Sequence, residues 1–323
     1  MHVLAVLLIT FPFFALVLCG YVAARRRMLP LEAISGLNTF VLYFALPCML
    51  YRFGASTPVA QLLDLAAVAV YLPCALLVVW GVVAFSLNER IRWNDAAFGA
   101  LVGAFPNTGF MGVPLLVALL GAAAAGLAIL TILIDLVVTT SLCIALSRLD
   151  GADQHGAAQA LKKALKGMAL NPMPWAIVLG AVSSALQIEP VKPVMQTVGL
   201  LADAASPVAL FTIGAVLFRS QHLAAMEEHA PMRGRDYLPV AVVKLVVHPA
   251  LVFAVGMGAI AFGLPLDRFT LVVMTLVAAL PSASNVSLLA ERFSADTGRI
   301  ARIILITTGA AFVTFSAAVA LVR

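Results

Sequence analysis

Charge is what this sequence has least of. Of its 323 residues only 11% are Asp, Glu, Lys or Arg, where an average soluble domain has about 25%. With so few polar groups a water-soluble fold could not cover its surface, which argues against a cytosolic enzyme and excludes a disordered chain or a coiled coil. Cysteine is scarce as well. Cys19, Cys48, Cys74 and Cys143 lie singly inside apolar runs, with no CxxC spacing and no histidine cluster nearby. That excludes a secreted disulfide scaffold and a structural metal site, and the four read as small hydrophobes. No GxxxxGK[ST] run is present, so ATP does not drive this chain directly. HExxH and GxSxG are missing too, so no enzyme, metal or cofactor is expected.

What the sequence does have is hydrocarbon. Apolar residues make up 63% of the chain and the mean hydropathy is +1.07. The bilayer is the solvent that suits such a composition. The formal charge of +5 does not point to nucleic acid, because the 20 Lys and Arg sit between apolar runs, where membrane topology explains them. Ten runs are long enough to span: 3–24, 33–52, 62–87, 95–119, 125–148, 172–188, 194–219, 237–263, 268–291 and 298–322. The first is followed, not preceded, by Arg25-Arg26-Arg27, so it reads as a retained membrane helix and not a signal peptide. Fifteen of the 20 basic residues fall on the side of that arginine loop and four on the other. The positive-inside rule therefore places both termini outside the cytoplasm. Residues 149–171 are polar and divide the chain into halves, 1–148 and 172–323. Within them Ala157–Lys166 reads either as an amphipathic surface helix or as a plain solvated linker.

The halves repeat one another. Pro12, Pro47, Pro73 and Pro106 in spans one to four have counterparts five spans later in Pro174, Pro207, Pro249 and Pro281. An offset of five inserts the second copy upside down, and inverted repeats are a transporter architecture. Spans four and nine are the unusual ones. Pro106, Asn107, Thr108 and Gly109 interrupt one; Pro281, Ser282, Ser284 and Asn285 interrupt the other. Proline removes a backbone donor and glycine eases unwinding, so both spans should break deep in the membrane, at matching places, and cross. Restarting helices would aim bare N–H groups at an anion such as a carboxylate. Ordinary proline kinks stabilised by hydroxyls are the plainer reading.

Ionisable residues inside spans are functional candidates. They are Asp135 in span five, Asp203 in span seven, and Lys244 with His248 one helical turn apart in span eight. Either acid could carry a proton through a transport cycle, or serve as a structural hydrogen-bond acceptor. Lys244 could pair with an acid, attract substrate or snorkel to the surface. Arg52, near the outer end of span two, reads as an interfacial anchor or as bait for an anion.

Four stretches together resemble the auxin efflux carrier family, which includes plant PIN-type carriers and bacterial organic-acid permeases. They are Leu37–Pro47, Phe105–Pro114, Ser206–Gly214 and Leu280–Asn285. The resemblance covers essentially the whole chain. It implies an all-α integral membrane protein of ten transmembrane helices in two inverted five-helix repeats, like bile acid–sodium symporters and the antiporter NhaA. It implies a scaffold of spans one, two, six and seven that forms homodimers, and a mobile transport domain of spans three to five and eight to ten. Substrate would bind where spans four and nine cross, marked by Pro106 and Pro281, and move by an elevator motion. By the same resemblance Asn107 contacts a substrate carboxylate and Asn38 lies on the scaffold side. The implied cargo in bacterial members is malonate or a similar small carboxylate, carried across the inner membrane. Neither crossover has an acidic residue, unlike sodium-coupled relatives, which favours protons over sodium as the coupling ion. The alternatives are a sodium-coupled bile-acid-like symporter and an exporter of auxin-like aromatic carboxylates.

Overall fold

A computed structural model describes residues 3–57, 64–149, 172–188, 190–226 and 233–322. The Ala157–Lys166 reading lies outside those residues. Among them all regular structure is helical. The helices are α1 (Val3–Arg25), α2 (Ala33–Ser56), α3 (Leu65–Ser86), α4 (Trp93–Ala104), α5 (Thr108–Leu120), α6 (Ala124–Leu146), α7 (Pro172–Leu186), α8 (Lys192–Met226), α9 (Leu238–Ala261), α10 (Arg268–Ala278), α11 (Val286–Arg292) and α12 (Thr297–Val322). Six of them, α2, α3, α6, α8, α9 and α12, are long and apolar enough to cross a membrane. The fourth and ninth apolar runs of the sequence are each split in two, as α4 with α5 and α10 with α11.

Local chemistry explains the ends and the irregular turns. Asp64 and Asp267 cap α3 and α10 by accepting the N–H groups of Ala67 and Thr270 at 2.9 and 2.8 Å. Gly121 and Gly263, at φ +89° and +88°, follow α5 and α9 in the left-handed region that glycine enters at least cost. Four helices contain a π turn: Val41–Ala45, Thr108–Gly112, Asp135–Thr139 and Val243–Val247. Three of these stand two residues ahead of a proline, at Pro47, Pro114 and Pro249. A proline ring clashes with the carbonyl four residues back, and the wider turn moves that carbonyl aside. The fourth has no proline. There the Thr140 hydroxyl donates to the Asp135 carbonyl at 2.8 Å.

The helices pack as backbone against backbone where glycine permits. α1 crosses α8 at Gly20 and Gly214, where a Cβ built on either glycine would fall 1.8 Å from a carbonyl oxygen of the other helix. α2 meets α7 at Gly54 and Gly180, whose Cβ would lie 2.6 Å from the Tyr51 carbonyl oxygen. The remaining long helices pack mainly on one another, α3 on α4 and α9, α9 on α10, and α10 on α6, while α12 touches both sets. Outward faces stay apolar, with Trp80, Trp175, Leu179 and Leu200 exposed, as lipid-facing surfaces require.

One arginine ties the ends of several helices together. Arg299, counted above among the topology charges, is only 2% exposed. Its guanidinium donates to the Asp236 and Asp95 carbonyls at 2.7 Å each and to the Ser86 hydroxyl at 3.1 Å. Gly99 makes room for it, since a Cβ there would lie 2.4 Å from a guanidinium nitrogen. A lysine ammonium cannot reproduce the fork. Arg299→Lys is therefore expected to lower stability by about 1–3 kcal/mol, the cost of stranding buried acceptors. Thermal unfolding in detergent measures this, and an unchanged midpoint would show the fork to be dispensable.

Candidate functional site

Pro106 and Pro281 stand just beyond the ends of α4 and α10. Neither has an N–H, and the residue before a proline is driven out of the helical region; Phe105 accordingly takes φ −84°, ψ 107°. The two broken segments then bond to each other. Asn107 N–H donates to the Pro281 carbonyl at 2.8 Å and Ala283 N–H to the Phe105 carbonyl at 3.0 Å. This sets Pro106 opposite Ser282 in an isolated antiparallel β-bridge. Backbone freed by two helix breaks must find partners inside a membrane protein, and here each break satisfies the other. Asn107, at φ −77°, ψ 53°, turns the chain back into α5, with Thr108 N–H bonded to the Pro106 carbonyl at 2.8 Å. Behind the crossing, Thr307 of α12 accepts the Ser282 N–H at 3.3 Å.

Two cavities flank the crossing. One is bounded by Pro106, Asn107, Gly109 and Asn285 among apolar groups that include Phe105, Ile132, Leu136 and Met173. The other is bounded by Asn38, Ser284, Asn285 and Ser287 with Leu42 and Val216. Phe110 and Asn285 line both and stand between them. No lining residue carries a formal charge. The Thr108 and Ser282 hydroxyls are buried at the crossing without a hydrogen-bond partner.

The two helix restarts differ. At α5, Gly109 and Phe110 occupy the first turn, where N–H groups have no intrahelical acceptor, and both residues line the first cavity. At α11, Val286 and Ser287 N–H groups are engaged by the Ala283 and Ser284 carbonyls at 3.3 Å each. The paired restarts expected from sequence are thus one open restart and one closed turn.

The intramembrane charges fall into two places. Arg52 and Asp203 form an ion pair of 2.6 Å between α2 and α8. Asp135, Lys244 and His248 are instead fully buried beside α10. Asp135 accepts the Tyr71 hydroxyl at 2.9 Å and the Thr139 hydroxyl at 3.1 Å. Lys244 donates to the Ala278 carbonyl at 2.8 Å, with His248 Nδ1 3.4 Å away. Snorkelling is thereby replaced by a cap: Ala278 is the last residue of α10, and a cation suits the carbonyl end of a helix.

Sequence reasoning missed Tyr71, Thr139, Phe110 and Thr307. Tyr71 had a readable signal, since a phenol in mid-span must find a partner. Phe110 had none, because one phenylalanine among so many apolar residues says nothing about a cavity wall.

Broken apolar runs, bonded to each other beside a polar-edged cavity in an all-helical chain with several membrane-length helices, define a multi-pass membrane transport protein. The family model described as "Membrane transport protein" matches residues 5–319. The chain belongs to that family, the auxin efflux carrier family to which its motifs point. A protein of Rhizobium meliloti named "Putative malonate transporter" is 28% identical over 325 residues, covering 97% of this chain and 94% of its own. The "Uncharacterized transporter YfdV" of Escherichia coli K12 is 27% identical over 294 residues, covering 88% of each.

Proposed function

We propose that this chain carries a small organic anion, malonate or a close relative, across the inner membrane by alternating access. The observation that carries the reading is the crossing itself. It holds an open helix N-terminus and Asn107 at the edge of one partly open pocket. Helix N-termini attract anions, and the amide of asparagine can donate to a carboxylate. Asn38, Ser284 and Ser287 wait in the cavity on the other side of Phe110, so a carboxylate passing Phe110 leaves one polar set and meets another. The name of the Rhizobium relative supplies malonate as the first cargo to try.

Ten spans in two inverted repeats, with α1, α2, α7 and α8 as scaffold and the other helices as the moving part, are part of the proposal. The glycine contacts support it. An inverted repeat maps span one onto six and seven onto two, and so maps the Gly20–Gly214 contact onto Gly180–Gly54. Gly54 and Gly214 both come seven residues after a proline, Pro47 and Pro207. Both termini then lie outside the cytoplasm, in keeping with the basic side of the sequence.

Exchange in proteoliposomes tests the cargo. Vesicles loaded with unlabelled malonate should take up labelled malonate from outside without any ion gradient, and should accumulate far less label when the internal malonate is left out. Folded protein that gives no exchange would remove malonate and turn the trial to aromatic carboxylates and bile acids.

A further inference from the structure

The anion reading uses the crossing but leaves unexplained the buried cluster behind it. Asp135, Lys244, His248 and Tyr71 are each 0% exposed. They come from three helices, α6, α9 and α3. The acid and the lysine do not form an ion pair with each other. Asp135 is held by two hydroxyls, Lys244 by a peptide carbonyl and by His248. Tyr71 and His248, with ring centroids 6.0 Å apart, stand between them. The outer nitrogen of His248, Nε2, is buried and has no hydrogen-bond partner. Asp135 and Lys244 also each sit in a π turn, a departure from the α-helix that recurs at functional sites.

We propose that Asp135 is the proton site of a proton–anion symporter, and that Lys244 connects its charge to the crossing. The proposal rests on the anion-transport reading. One proton from water on one side adds to the Asp135 carboxylate, forming a single O–H bond. It leaves again from that oxygen to water on the other side. With Asp135 ionised, the cluster of one carboxylate and one ammonium is neutral; protonated, it is singly positive. That charge offsets one negative charge of a bound carboxylate, so the loaded protein moves less net charge through hydrocarbon than the anion alone would bring. The link runs through Lys244, which holds the Ala278 carbonyl, three residues ahead of the Pro281 carbonyl that is bonded to Asn107.

Other titratable groups facing the cluster are few. α3 brings Tyr71 and Cys74, α6 brings Cys143 itself, and α9 brings Lys244 and His248. α5, residues 96–104 of α4 and residues 269–278 of α10 contain no titratable side chain. α12 offers Arg299 and Arg302 only in its first turns, and α2 offers Arg52, already paired with Asp203, Tyr51, bonded to Ser183, Cys48, and Tyr43, which is exposed.

Two readouts on the full chain in lipid vesicles test this. The first is labelled malonate uptake with and without an inward proton gradient. The ratio should exceed one for the parent and fall to about one for Asp135→Asn, because coupling is lost when one of the two linked sites cannot change state. The second needs no cargo: an infrared titration follows the carbonyl band of a buried protonated carboxyl, which should vanish in Asp135→Asn. Tyr71→Phe removes one hydrogen bond to the carboxylate and keeps the ring, so it should move the pH at which that band titrates. Gradient-stimulated uptake that survives in Asp135→Asn, or a band that persists there, overturns the proposal. Should Asp135→Asn not fold, an unmoved titration in Tyr71→Phe overturns it instead. If the parent exchanges no malonate, the cargo reading fails while the infrared result still decides the proton site.

Discussion

Replacing Asn107 with alanine is expected to weaken malonate exchange about 10- to 100-fold and to leave the unfolding midpoint close to that of the parent. The argument separates the backbone of Asn107 from its side chain. The backbone N–H bonds the Pro281 carbonyl and the backbone carbonyl accepts from Met111 and Gly112 at 3.1 and 3.0 Å. Alanine keeps all of these and tolerates φ −77°, so the crossing should survive. Asn107 lines the first cavity, and a hydrogen bond from its side-chain amide to a carboxylate would contribute about 1.5–3 kcal/mol. Every 1.4 kcal/mol is about tenfold in affinity, which sets the expected range. Exchange measured at several malonate concentrations distinguishes weaker binding from fewer active molecules. A folded Asn107→Ala protein that exchanges malonate like the parent would move the anion site off the first cavity.

Gly214→Ala should have the opposite profile, a large loss of stability at a residue that touches no cargo. A Cβ at position 214 would lie 1.8 Å from the Val17 carbonyl oxygen and 2.7 Å from the Tyr21 nitrogen. Those atoms are backbone and cannot swing aside, so α1 and α8 must separate along their contact. Overpacking that side chains can relieve costs about 1–3 kcal/mol, and this case should exceed 3 kcal/mol because the helices themselves must shift. Gly199 in the same helix is the comparison, since nothing lies within 4 Å of a Cβ built there. Gly199→Ala should be neutral or stabilising by up to about 1 kcal/mol, as alanine is the better helix former. Thermal unfolding of the two variants in one detergent tests the pair. Equal midpoints would mean that α1 and α8 do not pack closely at Gly214.

Much of this protein is legible in one dimension. Apolar runs of membrane length give helices because backbone polar groups in lipid must bond within their own segment. Pro106 and Pro281 announced the two breaks, and the structure puts both breaks in one bridge. The asymmetry of the restarts was not legible, because Pro-Asn-Thr-Gly and Pro-Ser-Ala-Ser-Asn look equally open in sequence. The turn at Ala283–Ser287 engages the N–H groups of both Val286 and Ser287, whereas at the α5 restart it is Thr108 that bonds back, to the Pro106 carbonyl.

The sequence by itself determined which segments are helical, where two of them fail, and which polar residues are carried into the apolar interior. Tertiary structure alone decided who meets whom. Arg52 joined Asp203, Arg299 turned from surface charge to internal tie, and Asp135 took Tyr71 and Thr139 while Lys244 went to the end of α10. The physical reason is that a helix apolar on every side has no hydrophobic stripe to fix its rotation. In lipid, rotation is set by close packing at small residues and by the need of each buried polar group for a partner. Both conditions are met only when helices distant in sequence come together.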